Sequence, residues 1–410
     1  MSDDTLVEPT NDGAYDAIVV GGGAAGFFGA IACGEASSRS TPRLLLLEKT
    51  QQTLSKVKIS GGGRCNVTHS CFDPHQLIRC YPRGSKELLG PFFRFQPRDT
   101  IAWFEARGVS LKTEGDGRIF PSSDSSQTIL DALRKAAAES GVQVTLGACV
   151  EQIKPEAGGF LLQLRSGQQL RCRQLLLALG GGRDGYRLAQ ELGHQIEEPL
   201  PSLFTFNLPK EKELHGLAGI SVEQARVSLP ELGRSELGPL LITHWGISGP
   251  AVLKLSAFAA KELYQRDYRA CCSIDWLPEV EEETLQRLLL NASGVKDPCG
   301  YLPKHLWRYL VDKSCSVSRQ WTRQEREQLT NALKRDCYQI EGTTRYKSEF
   351  VTCGGVALHQ VDFRTMQSRL VPALFFAGEL LNIDGITGGF NFQAAWTTGW
   401  IAGQAMAVSL

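Results

Sequence analysis

Neither sign of charge predominates in this chain: lysine plus arginine and aspartate plus glutamate number 44 each. That balance removes the electrostatic footprint expected of a nucleic-acid binder or of a protein held to anionic membrane, so neither partner is expected. No uninterrupted apolar run reaches the roughly 18 residues that a membrane-spanning helix needs. The stretch from Met1 to Tyr15 is polar and acidic. It lacks the basic and apolar regions of a signal peptide and the arginine-rich character of a transit peptide, so a soluble, cytoplasmic protein is the expectation. The twelve cysteines run from Cys33 to Cys353 with no CxxC pair, and read as reduced, small buried hydrophobes. HExxH spacing and the GxSxG elbow are missing too, which leaves no expectation of a metal or of a hydrolase nucleophile. No internal repeat or low-complexity tract is evident.

What the chain has is glycine. Its 42 glycines bunch into Gly21-Gly22-Gly23, Gly61-Gly62-Gly63, Gly180-Gly181-Gly182, Gly354-Gly355 and Gly388-Gly389. Repeated close approach of backbone to something flat or charged is the expected reason. At 410 residues the chain exceeds the roughly 250–300 that one core supports, so two or three domains are expected.

The first cluster sits in an informative context. The apolar run Asp16 to Val20 reads as a strand, Gly21-Gly22-Gly23-Ala24-Ala25-Gly26 as a turn, and Phe27 to Ala36 as a small-residue helix. A second strand, Leu44 to Leu47, ends in Glu48. In such a βαβ unit Gly21 permits the tight turn, Gly23 lets a pyrophosphate reach the N–H groups opening the helix, and Gly26 lets helix and strand pack closely. Glu48 stands where a carboxylate accepts adenosine ribose hydroxyls.

Further along, Gln127 to Ser140 reads as a helix and Val142 to Val150, Phe160 to Leu164 and Gln174 to Leu179 as strands, completing a doubly wound α/β domain. From Phe204 to Pro278 the texture changes to short strands and Gly/Pro turns, and Glu281 to Asp336 is largely helical. From Phe350 the nucleotide texture returns, with a buried strand from Leu374 ending at Gly378-Glu379 and a helix opened by Gly388-Gly389. The domains are therefore placed at 1–203 and 350–410 for the nucleotide domain, 204–280 with 337–349 for an inserted β domain, and 281–336 for a helical one. The cluster at Gly180 also fits GxGxxG after a strand. No second acid-ended strand follows it, so it reads as a strand end passing near the first nucleotide rather than as a separate nicotinamide site. One nucleotide met by N-terminal, middle and C-terminal segments is long and buried, which suits FAD better than NAD.

The segment Leu54-Ser55-Lys56-Val57-Lys58-Ile59-Ser60-Gly61-Gly62-Gly63-Arg64-Cys65-Asn66-Val67-Thr68 resembles the signature of the BaiN/RdsA-like NAD(P)/FAD-dependent oxidoreductases, also labelled aminoacetone-oxidase-like flavoproteins. Thr243 to Pro250, Thr352 to Val356 and Ala377 through Asn391 resemble further motifs of that family in the same order, and the likeness covers residues 15 to 407. It implies a glutathione-reductase-type, Rossmann-like FAD-binding domain with an inserted β-barrel-like domain and a helical subdomain. Carried over by position, it implies that Glu48 meets the ribose, Lys56 and Arg64 lie near the phosphates or ribityl chain, and the backbone of Val150 lies beside adenine. Gly378 and Glu379 fall at the ribityl chain, and Gly389, Phe390, Asn391 and Phe392 at the flavin edge. Ala24, Ala25, Lys49, Gly62, Cys65, Gly180 and Gly181 complete the expected cofactor contacts. The chain departs from the family at Leu54-Ser55, where Gly-Arg is common, and at Asn382, where Asp is usual.

The cofactor brings the redox chemistry, and the helix beginning near Phe390 would aim its positive end at the flavin. Cys65 and Cys71 are spaced CxxxxxC rather than CxxxxC, which favours inert or flavin-adjacent thiols over a dithiol relay. His244 is the candidate general acid, beside the plainer reading of a structural histidine. The expectation is an FAD-dependent oxidoreductase with non-covalent FAD, transferring hydride equivalents from NAD(P)H as candidate transient donor to a small organic acceptor or O₂. An oxidase of a small amine and a flavin-binding redox regulator are the alternatives, and a tRNA-modifying flavoprotein is disfavoured by the neutral charge and the absence of a basic stripe. Nothing in the sequence speaks to oligomeric state.

Overall fold

Tyr15–Val20 is buried along its whole length, as befits a strand covered on both faces. In the computed structural model, which describes residues 14–39, 41–290, 297–315, 321–342 and 351–408, this strand is central to a nine-stranded sheet. The polar N-terminal stretch before residue 14, and residues 343–350 at the end of the expected insertion, lie outside the described residues. The chain divides into two compact units, residues 1–199 with 352–410 and residues 200–351.

In the first unit, parallel neighbours run Leu374–Phe376, Gln169–Leu177, Tyr15–Val20, Leu44–Leu47 and Val142–Thr145. Register places Val19 against Leu46 on one side and Leu176 on the other. An antiparallel pair, Val150–Glu156 and Gly159–Leu164, joins Gln169–Leu177. The helices Ala24–Ala36 and Phe390–Val408 pack backbone to backbone, because side chains at Gly29, Gly399 or Gly403 would run into the facing helix. Both helices are buried nearly all round, which explains their small-residue composition. Ser126–Glu139 starts at a Ser125 side chain that accepts the Gln127 N–H, a capping arrangement. No helix among the described residues is long and apolar enough to cross a membrane.

In the second unit a six-stranded antiparallel sheet runs Phe206–Asn207, Gly246–Ser248, Arg234–Thr243, Ser221–Leu229, Arg269–Asp275 and Asp336–Glu341. Its two edge strands contact each other, so the sheet curls into a near-closed barrel. Helices Glu282–Leu290, Lys304–Ser314 and Arg323–Lys334 lie between its last two strands in sequence. Thr322 and Glu325 form a capping box at the third. A separate core serves this unit, with Trp276, Trp307, Leu285, Leu329 and Tyr338 buried in it.

Three readings of the sequence change. The single strand expected from Val142 to Val150 is broken: it turns at Gly147, whose N–H donates to the Thr50 carbonyl, and a new strand starts at Val150. The stretch Phe204 to Pro278 carries helices Pro250–Phe258 and Ala260–Tyr264 among its short strands; the first starts where Gly249-Pro250 offers a helix N-terminus, Pro at N1 being well suited to a helix start. Gly354 and Gly355 approach neighbouring chain rather than a ligand, since side chains there would overlap the Glu198 and Leu380 carbonyls.

Candidate functional site

The turn after the first strand is built around two close approaches. Gly21 has φ +117°, and a side chain there would overlap the Ala178 carbonyl; at Gly26 one would overlap the Gly21 carbonyl. Gly23, by contrast, faces open space, with nothing within 4 Å of where a Cβ would stand. Gly23 caps the helix Ala24–Ala36 with no side-chain hydrogen bond and no acidic residue in the first turn. The opening N–H groups of a helix have no intrahelical partners, and here no acidic residue of the first turn meets the positive end of its dipole. This is a donor set suited to a pyrophosphate. Glu48 accepts from the Gly22 N–H at 2.8 Å and from the Thr50 N–H and hydroxyl, each at 2.9 Å. Its carboxylate thus fixes the turn at the position where a ribose acceptor belongs.

Distant segments meet this turn. Gly378 lies so close to the first helix that a Cβ would stand 2.8 Å from the Ala25 Cβ. The next residue, Glu379, pairs with Lys56 at 2.5 Å, and a Cβ on Gly180 would lie 3.9 Å from the same carboxylate. Gly181 approaches the Tyr186 hydroxyl. That hydroxyl is buried without a hydrogen-bond partner, and its pKa is pushed up to about 12 by burial and by the Glu379 charge. Lys49 pairs with Asp184 at 2.7 Å, tying the Glu48 turn to the helix Arg183–Glu191.

At the other end, Gly389 (φ +94°) passes so near Thr68 that a Cβ would stand 2.6 Å from its carbonyl. The Asn66 amide, oriented by its hydrogen bonds, accepts the Gly389 N–H at 3.0 Å and donates to the Thr68 and Ile119 carbonyls. Phe390 is buried and stacks on the His69 ring at 4.7 Å, while the Tyr81 hydroxyl donates to its carbonyl at 2.6 Å. Asn391 closes the preceding turn through both backbone groups of Gly385, and Phe392 stacks on Trp396. The buried Asp384 carboxylate is held by Arg83. Asn382 accepts the Gly354 N–H at 3.1 Å, so the amide at this family departure ties the segment after Gly378–Leu380 to the strand Val351–Val356.

Other expected residues lie in particular surroundings. Arg64 turns onto the small sheet of Thr68–His69, Leu111–Thr113 and Arg118–Pro121, pairing with Glu114 at 2.7 Å over the Phe120 ring. Gly62 faces open space. Cys65 is fully buried, and burial pushes its thiol up to about 12; Cys71 is half-buried, and no disulfide joins any of the twelve cysteines. Val150 is buried and pairs with Leu164. His244 belongs to the second unit, exposed in the turn between Arg234–Thr243 and Gly246–Ser248 beside Trp245, itself 58% exposed.

His69, Tyr81, Asn66 and Tyr186 were not singled out by the sequence. Asn66 stood inside the glycine-rich signature and could have been; the others have no local signal. His69 donates its Nε2–H to the Asp116 carbonyl at 3.1 Å, which leaves Nδ1 buried and unpartnered. Burial lowers its pKa.

An open cradle at a helix start, an acid ending the second strand, and middle and C-terminal glycine turns converging on them fit an adenine dinucleotide extended across the sheet. Fold and site together define a flavoprotein oxidoreductase with a Rossmann nucleotide-binding domain. The chain belongs to the family described as HI0933-like protein Rossmann domain, whose profile matches residues 15–405. It is 31% identical over 407 residues to the ribosomal RNA dihydrouridine synthase of Escherichia coli, covering 95% of this chain and 97% of that one. It is also 31% identical over 415 residues to the 3-dehydro-bile acid delta(4,6)-reductase of Clostridium scindens, covering 95% and 98%. Among solved structures, the 3-ketosteroid-delta4-(5alpha)-dehydrogenase of Rhodococcus jostii RHA1 shares the fold, with a TM-score of 0.52 at 14% identity over 98% of this chain and 99% of that one.

Proposed function

We propose that this enzyme reduces a carbon–carbon double bond conjugated to a carbonyl, using non-covalent FAD recharged by NAD(P)H. FAD, when bound, supplies hydride transfer. The observation carrying this reading is that two relatives of equal identity, each matched almost end to end, act on dissimilar molecules. A dihydrouridine synthase saturates a double bond of a uracil ring, and a delta(4,6)-reductase saturates one in a 3-oxo steroid. Their common denominator is the activated double bond.

In this reading the N–H groups opening the helix Ala24–Ala36 hold the pyrophosphate and Glu48 holds the adenosine ribose. Gly180, Gly181, Gly378 and Glu379 line the middle of the cofactor, and Lys56 positions Glu379. The helix Phe390–Val408, entered through Gly388-Gly389, presents its positive end to the flavin ring and favours negative charge there. No His or Cys stands in a recognised attachment motif, which supports a releasable cofactor. His244 is the side chain to test as proton donor to the substrate.

The test is anaerobic turnover of the holoenzyme with NADH or NADPH, offered a cyclic enone, a 3-oxo steroid diene and ribosomal RNA in separate arms. Reoxidation of the flavin with a product about 2 Da heavier supports the reading, and the RNA arm puts the charge-based exclusion of nucleic acid to the test. Reoxidation by O₂ alone, with release of ammonia from a small amine, would make the enzyme an amine oxidase. Absence of turnover with every acceptor would favour a redox regulator.

A further inference from the structure

Of the twelve cysteines, all within the described residues, Cys337 alone is exposed. It lies on Asp336–Glu341, paired antiparallel with Arg269–Asp275 so that Cys271 faces Gln339 and Ser273 faces Cys337. Cys271 and Cys337 are thus diagonal neighbours two residues apart in register. Side chains alternate faces along a strand, and both thiols stand on the outer face, since Cys272 and Tyr338 fill the buried one. The right-handed twist of antiparallel strands draws one diagonal of such a pair together. Burial and the neighbouring Cys337 thiol together push the pKa of Cys271 up. The Cys337 thiol also donates to the Arg335 carbonyl at 3.4 Å.

We propose that Cys271 and Cys337 form a thiol pair that closes reversibly to a cross-strand disulfide by exchange with a low-molecular-weight disulfide. The exposed Cys337 loses its proton and attacks one sulfur of the small disulfide; that S–S bond breaks and one small thiolate leaves. Cys271 then loses its proton and attacks the Cys337 sulfur of the mixed disulfide, forming the protein S–S bond and expelling the second small thiolate. Two protein thiols are oxidised, one small disulfide is reduced to two thiols, and the two protons given up by the cysteines are taken up by the leaving thiolates. Proximity favours the second step over release of the mixed disulfide. The bond staples the strands on either side of the three-helix insertion and closes a loop of about 65 residues, long enough to restrict the unfolded chain appreciably.

The full-length holoprotein is equilibrated anaerobically in graded mixtures of reduced and oxidised glutathione, alkylated and digested without reduction. The expected result is a cross-linked peptide pair joining Cys271 to Cys337, loss of two titratable thiols, their recovery with dithiothreitol, and a thermal midpoint about 5 °C higher in the oxidised protein. Cys271→Ser should instead hold a stable glutathione adduct on Cys337, without the rise in midpoint. Separate glutathione adducts on the wild-type cysteines, or a cross-link from either to a third cysteine, would overturn the proposal. So would an unreactive Cys337.

Discussion

Replacing Glu48 by Ala tests the adenosine half of the cofactor site most directly. The carboxylate makes three hydrogen bonds inside the protein, to the Gly22 N–H, the Thr50 N–H and the Thr50 hydroxyl, and we assign to it a further one from the ribose. A charge-assisted hydrogen bond contributes about 1.5–3 kcal/mol, so its loss weakens FAD binding roughly ten- to a hundredfold. Loosening of the turn adds to this, because the Gly22 N–H loses its acceptor. Two comparisons separate the terms. Glu48→Gln keeps an oxygen for the turn and loses the charge, and should bind FAD about tenfold more weakly than wild type, better than Glu48→Ala. FMN has no adenosine, so its affinity should be unchanged in both variants, and the preference for FAD over FMN should shrink. Apoprotein is titrated with each flavin by fluorescence quenching, alongside a thermal melt to show that the variants are folded. A folded Glu48→Ala protein that binds FAD within threefold of wild type would refute the assignment.

The remaining predictions are of several kinds. Gly23→Ala should fold normally, since nothing lies near its Cβ position, yet lose at least about tenfold in FAD affinity; Gly26→Ala should fail to accumulate as folded protein, because its methyl meets the Gly21 carbonyl. Normal FAD binding by Gly23→Ala would move the pyrophosphate elsewhere. Cys65→Ala with Cys71→Ala should leave the rate of flavin reduction within about threefold of wild type, burial having made Cys65 a poor nucleophile; a rapid-mixing measurement showing a large loss would reinstate a dithiol relay. His69 and His194 are both held below the usual histidine range, chiefly by burial. As pH falls through about 6.5 the unfolded chain therefore takes up protons that the folded one refuses, and stability drops from there down to the lowered folded values. Urea midpoints at falling pH check this, and a midpoint flat between pH 7.5 and 5.5 would contradict it. Asp384→Asn leaves the Arg83 guanidinium, 12% exposed, without its buried counter-charge, a loss of about 3–5 kcal/mol in unfolding free energy measured with urea.

The first half of the candidate site was legible as a fold unit because its logic is local: Gly21, Gly23, Gly26 and Glu48 belong to one βαβ unit, and their spacing follows from its geometry. The other half depends on contacts between residues hundreds of positions apart. Asn66 orients Gly389 and Tyr81 holds Phe390, and no periodicity in either segment records the other. Bunched glycines looked alike in sequence but serve different neighbours: Gly23 opens onto space, whereas Gly354 and Gly355 make room for adjacent chain. The break at Gly147 escaped notice because Val144, Leu146 and Val150 keep the same apolar texture across it. The Arg64 partner Glu114 comes from a strand connection with no motif of its own, so nothing in the sequence records that pairing.

The parallel pairing of Leu374–Phe376 with Gln169–Leu177 also has a consequence for biosynthesis. Roughly 200 residues separate the two strands, so on the ribosome one edge of Gln169–Leu177 stays unpaired while the whole inserted unit is made, and unpaired edges invite aggregation. Most neighbours in the inserted sheet are closer in sequence, and can pair before the chain is complete. The strand Leu374–Phe376, translated after the inserted unit, then seals the first sheet and brings Gly378 and Gly389 to their neighbours. Chains terminated before Leu374 would expose the edge and lack the turns at Gly378 and Gly388-Gly389, so tight retention of a nucleotide would mark a molecule translated past them.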